Sequence, residues 1–200
     1  MLNQPGLFAP PGPDLCAALQ QDLVLLDLET TGTNANRDRV IEIGLIHCRG
    51  LQIVDSWSIL VNPRIDLSAF IADYTGISES LLSAAPSFAE IADELLQRLD
   101  RGLLVAHNAS FDYRFLQSEY SRLDFDYRAP YLCTVKLSRK LFPHEHHHNL
   151  DALIRRHKLH CDSRHRALGD AGVLVDFLRD LPNHCTAKIL DQSFDSLVSK

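Results

Sequence analysis

The sequence has no run of 18 or more apolar residues, so it offers no helix long enough to cross a bilayer. Its first residues lack a basic segment followed by an apolar one, and they do not read as a secretory signal. Cysteine is scarce and unpatterned. Cys16, Cys48, Cys133, Cys161 and Cys185 are odd in number, and none forms a CxxC pair. That excludes a disulfide framework and a cysteine zinc site, and it fits reduced thiols in a cytoplasmic protein. No internal repeat is visible, so no repeat array is implied. Positive charge is in deficit, with a net charge of −6, which argues against a protein that coats nucleic acid indiscriminately.

What is present is enough for one domain with a real core: 200 residues, 46% of them apolar. Charge is also unevenly spread. Lys136, Arg139, Lys140, Arg155, Arg156, Lys158, Arg164 and Arg166 share their interval with only Glu145, Asp151 and Asp162. Eight bases against three acids leave a local balance of +5, as a groove that tracks phosphates requires.

The chain is organised around Leu23-Val24-Leu25-Leu26-Asp27-Leu28-Glu29-Thr30-Thr31-Gly32. Four unbroken apolar residues predict a strand buried on both faces. On extended backbone, residues i and i+2 point to one side, so Asp27 and Glu29 project together. Two adjacent anions repel unless a cation lies between them, and carboxylate oxygens suit hard divalent ions such as magnesium or manganese.

Residues 1–21 form a leader rich in proline, with a short helix expected over 14–21. Residues 22–181 carry the regular pattern. Strands are predicted at 23–28, 40–46, 52–61, 103–106 and 131–134. The short link at Arg49-Gly50 predicts antiparallel pairing of the second and third strands, with Ile53, Trp57, Ile59 and Val61 on one side of the third. Ser87 and Glu90 make a capping box for a helix striped by Phe88, Ile91, Ala92, Leu95, Leu96 and Leu99. Helices are also predicted around Thr75-Gly76-Ile77, from Ser110, after Thr134, from Asn149, and over 167–181 up to Pro182. Alternating strands and helices predict an α/β fold, a mixed five-stranded sheet with helices on both faces. The polar tail 182–200 reads as a linker or a docking peptide, with Leu190, Phe194 and Leu197 on one side of a short helix.

Two further acids follow buried elements. Asp112 and Asp170 each fall in the first turns of a helix, a placement the helix dipole alone also favours. His165 stands five residues before Asp170. The histidines of the 144–148 loop are too close in sequence to converge on one ion, and His107 reads as a structural hydrogen-bonder.

Asp27-Leu28-Glu29-Thr30-Thr31-Gly32 resembles the first motif of the DEDD superfamily, the DnaQ-like 3′–5′ exonucleases. His107-Asn108-Ala109-Ser110-Phe111-Asp112 resembles the second motif. His165-Arg166-Ala167-Leu168-Gly169-Asp170-Ala171 resembles the third in its histidine form, DEDDh. Asn149 to Leu153, Ser87 to Asp93 and Thr75 to Ile77 resemble further elements of that family. The resemblance is strongest to proofreading exonuclease subunits or domains of bacterial DNA polymerase III.

The resemblance implies an RNase H-like fold and two-metal hydrolysis of nucleic acid from a 3′ end. Asp27, Glu29 and Asp170 would hold one cation, with Asp27 bridging to a second that Asp112 serves through water. His165 would take the proton of the attacking water. Leu28, Thr30 and Thr31 would hold the terminal nucleotide, with Asn108 and Phe111 lining the cleft. Single-stranded DNA is the implied substrate and a DNA polymerase the implied partner. An RNA-trimming enzyme and a non-catalytic nucleic-acid-binding module share the same fold.

Overall fold

A computed structural model of the chain describes residues 16–161 and 163–199. Five strands form one sheet: β1 (Asp22–Thr30), β2 (Val40–Arg49), β3 (Gln52–Leu60), β4 (Leu103–Ala106) and β5 (Tyr131–Cys133), in the order β3-β2-β1-β4-β5. β1 pairs antiparallel with β2 and parallel with β4; β2–β3 is antiparallel and β4–β5 parallel. The helices are α1 (Ala17–Gln20), α2 (Ala69–Thr75), α3 (Glu79–Ser83), α4 (Phe88–Leu99) and α5 (Ser110–Ser121). They continue with α6 (Thr134–Leu141), α7 (Leu150–His157), α8 (Ala167–Asp180) and α9 (Ala187–Leu197).

The alternation of β1 decides which helix sees which residue. Val24, Leu26 and Leu28 pack in the cluster that holds Phe88, Leu95, Phe115 and Leu116 of α4 and α5. Leu23 and Leu25 pack in the opposite cluster, with Leu174, Phe177 and Leu178 of α8. Asp27 and Glu29 continue that second parity, so the strand aims its acids at the side covered by α8.

Local signals act as expected at several helix starts. Ser87 and Glu90 form the capping box of α4, and the Asn149 side chain accepts from the Ala152 amide at 2.9 Å. Gly76, at φ +70, ends α2 in the left-handed conformation.

Two expectations are corrected. Ile53 does not share a face with Trp57 and Ile59. The β2–β3 register shifts between His47 and Cys48, which pair with Asp55 and Ile53, leaving Val54 as a bulge. The extra residue reverses the facing, and Ile53 stands half exposed while Trp57 packs inward. The tail also does not stand apart. It folds back as α9, burying Leu190 and Phe194 in the α8-side core. At the other end, Ala17–Gln20 is helical, with Cys16 and Gln21 as its caps, while Asp14 and Leu15 of the expected helix lie outside the described residues.

Candidate active site

The site forms where the end of β1 meets the start of α8. Gly44 of β2 lies opposite Asp27. A Cβ at Gly44 would fall 2.3 Å from the Ala167 carbonyl carbon and the Leu168 nitrogen, so α8 rests directly on bare backbone. Glu42, opposite Glu29, is buried and accepts from the Ala167 amide at 3.0 Å and from Arg166 Nη2 at 2.6 Å. This carboxylate satisfies an orphan amide of the helix N-terminus and pins its first turn. Asp170 in that turn is thereby carried to β1. One ligand oxygen from each of Asp27, Glu29 and Asp170 lies within 4.8 Å of the others.

Asp112 approaches from the other side. It sits buried in the first turn of α5 and accepts from its own amide and the Leu28 amide. It lies outside the trio, yet its charge reaches Asp27.

Crowding and burial shape the charge state. Burial, then Asp112, Asp170 and Glu29, push the Asp27 carboxyl well above its ordinary value. Burial, then Asp170 and Glu42, raise Glu29 to about 7. Burial raises Asp112 to about 8 against its two amide bonds. Asp27, Glu29 and Asp112 resist ionising beside one another, and a divalent cation relieves that crowding, so the hard-oxygen donor set fits such ions.

His165 is not among the acids. It adopts a left-handed backbone (φ +61), and its half-buried ring lies 4.1 Å from that of Tyr74 on α2. The expected nucleotide contacts are placed as follows. Leu28 faces the α4/α5 core and offers no side chain to the cleft. Thr30 Oγ1 donates to the Gly32 carbonyl at 2.6 Å, and Thr31 Oγ1 accepts from the Arg39 amide at 3.0 Å, so both hydroxyls fix the turn. Asn108 is exposed at φ +63, and Phe111 is half-buried, 4.8 Å from Phe115.

The basic interval is not one free strip. Arg164 pairs with Asp151 and Asp170, Arg166 with Glu42, and Arg156 with Glu145. Lys136, Arg139, Arg155 and Lys158 are exposed. His144 to His147 lie exposed in their loop, and His148 bonds Ser138 Oγ at 2.8 Å. His107 Nδ1 meets Thr134 Oγ1 at 2.9 Å, and burial lowers its pKa to about 4.

A second group, His157, Asp180 and His184, gathers at the far end of α8. Both imidazoles lie 2.7 Å from the same oxygen, Asp180 Oδ2. Two ligands on one ion at about 2.1 Å stand roughly 3 Å apart or more. The contacts are hydrogen bonds that satisfy Asp180 without an ion.

Sequence reasoning missed Glu42, Gly44 and Tyr74, and it placed Arg164 in a phosphate-tracking strip where the structure pairs it with Asp151 and Asp170. An acid within Val40-Ile41-Glu42-Ile43 was the available signal for the first. The others depend on which elements meet.

A profile described as Exonuclease, RNase T, matches residues 24–178. The chain is 37% identical over 155 residues to the PolC-type DNA polymerase III of Caldanaerobacter subterraneus subsp. tengcongensis, covering 78% of this chain and 11% of that protein. It is 34% identical over 167 residues to the PolC-type enzyme of Bacillus subtilis strain 168, covering 80% of this chain and 12% of that protein. The chain thus spans roughly a tenth of the length of these relatives. Exonuclease X in complex with 5′ overhanging duplex DNA has a TM-score of 0.66 at 26% identity, over 86% of this chain and 98% of that one. Exonuclease I shares the fold, with a TM-score of 0.78 at 15% identity over 88% of this chain and 44% of that one. A family match over three-quarters of its length, on an RNase H-like sheet, makes the chain a member of the RNase T exonuclease family.

Proposed function

We propose that the chain is a 3′–5′ exonuclease that releases nucleoside monophosphates from DNA 3′ ends, in proofreading or repair beside a bacterial DNA polymerase in the cytoplasm. The observation that carries this reading is the convergence of Asp27, Glu29 and Asp170, with the buried Asp112 close enough for its charge to act on Asp27.

Enzymes of this family use divalent cations, and magnesium or manganese suits an all-carboxylate site. When bound, the ions stabilise charge on the attacking and leaving oxygens. Asp27, Glu29 and Asp170 would hold them, with Asp112 serving the second ion. A ring nitrogen of His165 takes the proton of the attacking water after the ring turns from Tyr74 toward the acids. Phe70 and Tyr74 stack on α2 with centroids 6.0 Å apart and are 73% and 51% exposed. They offer unpaired bases a stacking face beside His165, and the exposed Lys136 and Arg139 meet phosphates.

The test is a degradation time course on end-labelled single-stranded, mismatched and paired DNA, with RNA alongside. Stepwise shortening from the 3′ end, abolished by a chelator and by Asp27→Ala, is expected. Cleavage of circular single strands would show an endonuclease, and faster loss of RNA would reassign the substrate.

A further inference from the structure

Arg164 lies among the acids, yet hydrolysis assigns it no task. Its guanidinium makes two engagements. Nη1 donates to Asp170 Oδ2, while Nε and Nη2 donate to Asp151 Oδ1 at 3.0 and 2.9 Å. Asp170 is buried; Asp151, in the first turn of α7, is exposed. Arg164 therefore spans from an inner carboxylate to an outer one. Its charge also acts on Asp27 and Glu29, favouring their ionised forms.

Ionised carboxylates crowded this closely are relieved by positive charge nearby, whether an ion or a side chain supplies it. Arginine is suited to supply it, because it stays charged and binds carboxylates through a planar fork. The same oxygen cannot serve two masters. A divalent cation coordinates a carboxylate oxygen at about 2.1 Å. On Asp170 it would meet the guanidinium at close range, where like charges repel.

We propose that Arg164 is the resident counter-ion of the Asp27/Glu29/Asp170 cluster, neutralising Asp170 in the metal-free protein and shifting outward onto Asp151 when a divalent cation enters. Asp151 is the residue that receives it, because the second half of the fork already rests there. His165 follows Arg164 directly in the chain, at positive φ and against Tyr74. Withdrawal of Arg164 from Asp170 moves the backbone that carries His165, so the base is positioned as the ion arrives. Arg164 is thus a positioning residue.

This inference rests on the reading of the cluster as a divalent-cation site, and the experiment separates the two. Mn2+ binding is measured by calorimetry, and metal-free thermal stability by melting, on wild type, Arg164→Gln, Arg164→Lys, Asp151→Asn and Asp27→Asn. A charged hydrogen bond of this kind corresponds to on the order of tenfold in an equilibrium. Arg164→Gln is expected to lower the metal-free melting temperature yet tighten Mn2+ by about that factor. Arg164→Lys, which keeps the charge without the fork, falls between. Asp151→Asn removes the outer resting place and weakens Mn2+. A merely structural arginine would instead lower stability and affinity together, and that result, or an Mn2+ affinity unchanged by Arg164→Gln, overturns the proposal. Mn2+ binding that Asp27→Asn leaves intact overturns the cluster reading itself, and the counter-ion with it.

Discussion

Asp27, Glu29 and Asp112 all carry pKa values raised above their unfolded ones, with burial as the first cause. A group of this kind binds its proton more tightly when folded. Its stabilising effect is complete below the unfolded pKa and is lost as pH rises through the folded value. Metal-free protein should therefore lose stability between roughly pH 4 and 8, where unfolded carboxylates have already ionised. Asp27→Asn should raise the metal-free melting temperature at pH 8, and the gain should shrink toward pH 4. Melting curves of both proteins in chelator across that range check it; a destabilised mutant at pH 8 would contradict the crowding. His165 makes a separate expectation. Replacing it by Ala should cut turnover by about 10² to 10⁴ while Mn2+ affinity stays the same. Turnover and calorimetry measured side by side decide that, and unchanged turnover would remove the imidazole from the reaction. Asp27 and Glu29 were legible in the sequence because strand alternation is a local rule. Asp112 and Asp170 were candidates from their place in the first turns of helices, and motif resemblance joined them and His165 to the strand acids. The partners of Arg164 and Tyr74 were not legible, since a loop's contacts with α2, α7 and α8 are set by packing that no short window encodes.

At the scale of elements, the sheet and most helices follow from periodicity and capping. What periodicity misses is an inserted residue. Val54 adds one position to β3, and every side chain before it changes face, so Ile53 moved from the expected inner row to the surface. The approach of α8 to β2 is likewise invisible in sequence, because glycine inside a strand marks several different things. Here Gly44 is required by contact, since its Cβ would strike the backbone of Ala167 and Leu168. Gly44→Ala must push α8 away from the sheet or bend β2. Overpacking of this sort costs about 1–3 kcal/mol. The same shift separates Asp170 from Asp27, so metal affinity should fall more than the loss of stability accounts for. Denaturant unfolding and Mn2+ titration of Gly44→Ala check both. Full retention of affinity would mean that α8 does not depend on this contact for its position.

At the scale of the molecule, the polar tail belongs to the fold. Leu190 and Phe194 are 1% and 2% exposed, and they share a core with Leu19 of α1 and Leu137 of α6. Polar bonds reinforce the docking. The Ala18 amide donates to Asp191 Oδ1 at 2.8 Å, Lys140 Nζ to Ser196 Oγ at 2.7 Å, and the Ser199 amide to the Tyr131 carbonyl at 2.9 Å. The tail looked like a linker because its few apolar residues are spread among polar ones. Their spacing fits one helical stripe, but a stripe alone does not say what it covers. Burying a Leu or Phe side chain is worth about 1.5–3 kcal/mol each. Ending the chain after Thr186 therefore removes roughly 3–6 kcal/mol from a total that is typically about 5–15. The carboxylate cluster sits where β1 meets the start of α8, whereas α9 packs against α1, α6 and β5. The truncated protein should accordingly melt far below the full chain. In the fraction that remains folded, Mn2+ affinity should be unchanged. Leu190→Ala with Phe194→Ala in the untruncated 200-residue chain should reproduce the loss of stability, which ties it to these two side chains and not to the missing backbone. A truncated protein with the melting temperature of the full chain would return residues 187–199 to the status of a free appendage.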